Sequence, residues 1–144
     1  MTTTAPALFP VTLSYAPIGP PTTVPVRVTY GHWLPRLFGA GAVTLGLHIV
    51  VRHDPADLAK PAPVLLAHEL VHVEQYVRLQ ADHGGFLGAL AYYAGAFWQW
   101  VIHRAVLDRP REAEAYGRQA AVLAQTDTGI TCSWLLTYRK SVGA

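Results

Sequence analysis

His68-Glu69-Leu70-Val71-His72 sets two imidazoles four residues apart and puts a carboxylate beside the first. On an α-helix, residues i and i+4 share a face. The two rings can therefore bind one metal ion, with Glu69 placed to take a proton from water. This HExxH arrangement is the half-site of a zinc-dependent peptidase, and Zn2+ is the cofactor it implies. The competing reading is a pair of surface histidines with an ordinary glutamate between them.

A hydrolytic zinc keeps three protein ligands and one open position, so the motif needs a third donor. The extended metzincin pattern is excluded, because Gln75 stands where its glycine would and no histidine follows at its third-ligand position. A carboxylate on a later helix completes a His-His-Glu site. Arg111-Glu112-Ala113-Glu114-Ala115-Tyr116 offers two, Glu112 and Glu114, and spacing alone does not choose between them. Either could instead be a first-turn glutamate favoured by the helix dipole.

The run His68-Glu69-Leu70-Val71-His72-Val73-Glu74-Gln75, followed by Glu112-x-x-Ala115, resembles the gluzincin zinc metallopeptidases. It is most similar to their small single-domain members, the minigluzincins and related HELVH proteins. The later motif is also similar to that of the heat-shock HtpX and prenyl-protein endopeptidase families. There, the first Glu of an E-x-x-A-D pattern is the third ligand. The resemblance implies His68, His72 and Glu112 as metal ligands and Glu69 as catalytic base. The Asp of that pattern would support a ligand histidine; this chain has Tyr116 in its place. Tyr116, His103 and His48 are further candidates for contact with substrate or transition state. The resemblance spans about Val43 to Gln119.

These residues need elements to hold them. Leu66, Leu70, Val73 and Val77 form the i, i+4, i+7, i+11 stripe of an apolar helix face, and His68, His72 and Gln75 fall on another face. Pro63 suits a first turn and Gly84-Gly85 a stop, which predicts a helix over Pro63–Asp82. Phe86 to about Leu107 reads as a second helix. Its stretch Phe86–Ile102 carries only Gln99 as a strongly polar side chain and falls just short of the ~20 residues of a membrane span. The favoured expectation is a central core helix screened on all sides; membrane association is the alternative. A third helix is expected from Arg109 to Gln125, with Asp108 as N-cap. Upstream, period-2 alternation predicts three strands, at Val11–Tyr15, Val24–Tyr30 and Val43–Val51, with Pro25 hinting at an edge position. Residues 130–144 have no clear period.

The chain has 144 residues, enough for one domain with a proper core. A net charge of +2 from scattered cations excludes the clustered basic face that nucleic-acid binding needs. The single cysteine, Cys132, excludes an internal disulfide and a cysteine-based zinc site. Met1–Pro10 lacks the basic and apolar runs of a signal peptide, so a cytoplasmic location is the default expectation. The whole reads as one α+β, zincin-like domain: a small mixed or antiparallel sheet of about three strands, then three helices. The expected activity is zinc-dependent hydrolysis of a peptide or protein substrate, held by strand addition along Ala42–Arg52. The rival is a catalytically silent zincin-fold binding or interaction module.

Overall fold

A computed structural model describes residues 8–14, 21–52, 62–102 and 109–141. Strands β1 (Phe9–Leu13) and β2 (Thr22–Thr29) pair antiparallel, with Phe9, Val11 and Leu13 pointing into the core. The stretch expected as one third strand is a hairpin. β3 (Ala42–Leu45) turns through Gly46-Leu47 into β4 (His48–Val51). Gly46 has φ +71°, at the first loop position, where a tight two-residue turn calls for glycine. A Cβ there would also press to 3.0 Å from the Tyr76 ring.

This turn reverses the parity of the pattern. Sequence alternation put Val43 and Leu45 on one face with Ile49 and Val51. The hairpin register instead pairs Ala42 with Val51 and Thr44 with Ile49, so Ala42 and Thr44 share the core face. A polar side chain thereby enters the core side of the sheet, with consequences for Glu69.

β4 runs parallel to β2 beside Arg27–Thr29, and the sheet is mixed, in the order β3-β4-β2-β1-β5. β2 is thus a middle strand and not the edge that Pro25 suggested. Pro25 is tolerated because β4 accompanies β2 only from Arg27 onward, which leaves no ladder partner on that side of Pro25. The unassigned C-terminal stretch supplies β5 (Ile130–Thr131), antiparallel to β1, and helix α5 (Ser133–Ser141). Trp134 of α5 stacks on Phe9 at 4.7 Å and on Tyr138 at 5.0 Å. Cys132 is buried in this part of the core.

A single helical turn, α1 (Leu34–Leu37), precedes the hairpin. The three long helices are α2 (Ala62–His83), α3 (Gly85–Ile102) and α4 (Pro110–Leu123). The bounds of α2 and α4 and the start of α3 lie close to the expected ones; the expected end of α3, near Leu107, lies outside the described residues. The N-cap of α4 is Arg109, in extended conformation with no side-chain cap; Asp108, the expected cap, lies outside the described residues.

The central helix is α2, not α3. Every residue from Leu66 to Gln75 is buried. In α3 only Gly88 and Tyr92 are buried, while Phe86, Leu87, Leu90, Phe97, Trp98 and Ile102 are exposed. The expectation of a screened core helix is therefore overturned. α3 lies on the outside of α2, which it meets at Gly88 and Tyr92, while Gly95 and Gln99 further along meet Arg111 of α4. At Gly88 a Cβ would collide with the backbone of Gln80, so glycine is what permits the approach. α2 and α4 pack antiparallel on another flank. Among the described residues no helix is long and apolar enough to cross a membrane. The molecule is thus α+β, with five strands and five helices among the described residues.

Candidate metal centre

α2 and α4 meet through matched polar rows. On α2, His68, His72 and Gln75 follow i, i+4, i+7; on α4, Glu112, Tyr116 and Gln119 do the same. His68 Nε2 lies 3.1 Å from Glu112 Oε2, and His72 Nε2 lies 2.5 Å from Glu112 Oε1. Glu69 closes the group, its Oε2 3.9 Å from His68 Nε2. The potential ligand atoms of His68, Glu69 and His72 all lie within 4.8 Å of one another, and all three residues are buried. Glu112 is more open, with about a quarter of its side chain exposed.

The donors fit a metal ion. Two imidazole nitrogens and a carboxylate face one point, the donor chemistry of a His-His-Glu zinc site. Bonds of ~2.1 Å at tetrahedral angles put ligand atoms roughly 3.4 Å apart, close to the His68–Glu112 separation of 3.1 Å, whereas His72 and Glu112, hydrogen-bonded at 2.5 Å, have to part to admit an ion. The electrostatics agree. Although burial opposes it, hydrogen bonds and charge from His68 and His72 hold the Glu112 carboxyl well below the usual carboxylate range. Burial likewise works against protonation of His72, but Glu112 and Glu69 overcome it and raise its pKa to about 9. A proton on His72 stands where a cation would, so the cluster is built around a positive charge.

The far side of each ring is also held. His72 Nδ1 donates to Gln75 Oε1 at 2.9 Å, and His68 Nδ1 pairs with Gln119 Oε1 at 3.0 Å. The Gln75 amide is oriented by its own donors, since Nε2 gives hydrogen bonds to Glu114 Oε1 at 2.8 Å and to the Arg111 carbonyl at 3.1 Å. Its oxygen must then face His72, which places the ring proton on Nδ1 and leaves the Nε2 lone pair for an ion.

Glu69 is only 4% exposed. Burial pushes its carboxyl up, and the charges of His72 and His68 and the Thr44 hydroxyl pull it back in part. Thr44 Oγ1 donates to Glu69 Oε1 at 2.9 Å and also lies 3.2 Å from the Glu69 carbonyl. The parity reversal at Gly46 is what brings this hydroxyl inward. Tyr92 of α3 donates to the Thr44 carbonyl at 3.4 Å, so α3 braces the edge strand beside the cluster.

The two carboxylates left open by spacing separate cleanly. Glu114 is bound by Arg78, at 2.9 and 3.0 Å, and by Arg118, at 2.9 Å. Arg118 also holds buried Glu74, at 2.7 and 2.9 Å, and Asp127, at 2.7 and 3.0 Å. Glu114 thus belongs to an ionic network that clamps α2 to α4, while Glu112 faces the histidines. Tyr116 stacks edge-on against His68 at 4.4 Å and is 47% exposed, at the mouth of the cluster. Burial and the Glu112 and Glu69 charges push its phenol up.

The structure does not bring His48 to the cluster. His48 pairs with Leu45 and Arg27 on the sheet face turned away from α2, and its Nε2 lies 2.7 Å from Thr29 Oγ1. Burial, then Arg27 and His32, push its pKa down. His103 lies outside the described residues. Sequence reasoning missed Thr44, Gln75 and Gln119 as members of the site. The i, i+4, i+7 row from Glu112 to Gln119 was the available signal for the last.

A family profile for the eCIS core domain matches residues 25–80. The match runs from within β2 through the hairpin and most of α2. It includes the HExxH segment and Thr44, and stops before Glu112 and Gln119. No curated protein and no solved structure matches the chain. The profile match and the buried His-Glu-His cluster are compatible with a metallopeptidase-like domain that can hold a metal ion.

Proposed function

We propose that the chain is a zinc-dependent metalloendopeptidase with a gluzincin-type site. His68, His72 and Glu112 hold the ion, and Glu69 is the general base. The observation that carries this reading is the meeting of both Nε2 atoms at the Glu112 carboxylate, with Glu69 alongside. Zinc held there supplies Lewis acidity toward a scissile carbonyl and toward water. Glu69, its carboxylate steadied by Thr44, takes a proton from the attacking water and passes it to the leaving amine. Burial suits Glu69 to this work, because a carboxyl pushed upward is a better proton acceptor.

The substrate is an extended peptide lying along β3, the sheet edge next to α2. β4 is interior, so strand addition is confined to Ala42–Leu45 and does not extend to Arg52. Tyr116 at the mouth stands within reach of a bound peptide.

The rival reading, a catalytically silent binding module of the same fold, draws support from one observation. α3 exposes a large apolar face, and such faces on soluble domains mark contact surfaces. Digestion of a broad peptide library with and without chelator separates the two. Peptidase activity is expected to be abolished by chelator. Glu69→Gln is expected to keep the metal and lose about a hundredfold or more in turnover. Undiminished turnover by Glu69→Gln sinks the mechanism, and no turnover by the metal-loaded wild type favours the binding module.

A further inference from the structure

Each histidine of the cluster is backed by a neutral carboxamide and by no carboxylate: Gln75 behind His72 and Gln119 behind His68. The two acceptors come from different helices. Gln75 is one turn beyond His72 on α2, and Gln119 reaches across from α4. A ring held at Nδ1 by an acceptor carries its proton there, presents Nε2 to an ion, and cannot swing about its side-chain bonds. We propose that Gln75 and Gln119 are the positioning residues of the metal centre, fixing the tautomer and direction of both imidazoles. This inference rests on the proposed metal site and adds the groups that preset it.

Gln119 replaces a function expected elsewhere. The resemblance placed the support for a ligand histidine at position 116, where Tyr116 packs edge-on against His68 and leaves its Nδ1 to another partner. Gln119, one turn further along the same face of α4, supplies that partner. With both acceptors neutral, Glu112 is, among the described residues, the carboxylate within hydrogen-bond distance of the rings, with Glu69 farther off at 3.9 Å from His68 Nε2. Gln75 does a second job. Its amide nitrogen ties the ring support to Glu114 and through it to Arg78 and Arg118, so the ionic clamp between α2 and α4 also fixes the orientation of His72.

The test is zinc affinity, read by competition with a chromophoric chelator, with no substrate present. Gln119 is the position to change, because it carries none of the clamp. Gln119→Leu is expected to weaken zinc binding by about 10–100-fold, the usual effect of removing a group behind a metal ligand. Gln119→Glu restores an acceptor of equal reach and is expected to bind zinc at least as tightly as the wild type. Nitrogen-15 spectra of the histidine rings supply a readout that a merely structural role would not move. In zinc-loaded wild type both rings carry the proton at Nδ1. In Gln119→Leu the His68 Nδ1 proton exchanges faster with water, and that of His72 is unchanged. Zinc affinity within twofold of wild type in Gln119→Leu, or no rescue by Gln119→Glu, overturns this inference alone. A wild-type chain that binds no zinc overturns both it and the proposed metal site.

Discussion

α2 and α3 are neighbours in sequence and in space, yet they invert the usual relation between polarity and burial. α2 carries the polar motif and buries His68, Glu69, His72, Glu74 and Gln75. α3 has no charged side chain and leaves Phe86 80% and Trp98 65% exposed. The difference lies in partners. Each buried polar group of α2 meets a matched one: histidines meet Glu112 and two glutamines, Glu69 meets Thr44, and Glu74 meets Arg118. Buried polar groups are tolerated when satisfied. α3 comes close to the α2 backbone at Gly88 and buries only Gly88 and Tyr92, so most of its apolar surface stays outside. The lesson is that apolar content alone does not place a helix in a core. The surface it meets has to fit.

The comparison can be broken first at the clamp. Arg118→Met strips buried Glu74 of its closest cation and is expected to destabilise the fold by about 3 kcal/mol, because Glu74 then keeps only the more distant Arg78, at 3.4 Å. Urea unfolding measures it, and a loss below about 1 kcal/mol would mean that α2 does not depend on paired charges. Next is the α2–α3 seam. Gly88→Ala forces a methyl group into the Gln80 backbone and is expected to cost about 1–3 kcal/mol; a neutral result would show that α3 can lift off freely. Acid should weaken the clamp as well. The Arg118 hydrogen bonds hold the Asp127 carboxyl below its ordinary value. That contribution is fully present above the unfolded value, roughly 3.9, and is lost as pH falls through the folded one. Stability below about pH 4 should therefore fall more steeply in the wild type than in Arg118→Met. The smallest effect is expected on the outer face of α3, where Trp98→Gln should change stability by no more than about 0.5 kcal/mol. A large loss there would place that face in the core after all.

Much of the site was legible because helix periodicity is rigid. Four-residue spacing brought His68 and His72 together, and the Arg111–Tyr116 stretch offered two carboxylates on a later helix. Spacing left Glu112 and Glu114 open and the resemblance pointed to Glu112; what the sequence did not show is that Arg78 and Arg118, on separate helices, hold Glu114 away from the histidines. Thr44 was hidden because a two-residue turn reverses strand parity without interrupting the apolar pattern. Gln119 was hidden by the expectation of a carboxylate at position 116. The α+β class and the three long helices were readable, whereas the order of the sheet was not. A parallel β2–β4 pairing and a β5 contributed by the C-terminal stretch are long-range choices that local alternation does not encode. α3 misled because a long uncharged stretch reads the same whether a core covers it or not.

The most direct test of the account is metal stoichiometry in the purified wild type and in single variants, measured by elemental analysis after dialysis. One zinc per chain is expected in the wild type, with near-complete loss in His68→Ala, His72→Ala and Glu112→Ala, and retention in Glu114→Ala. A wild type without stoichiometric zinc, or full zinc in Glu112→Ala together with loss in Glu114→Ala, would contradict it.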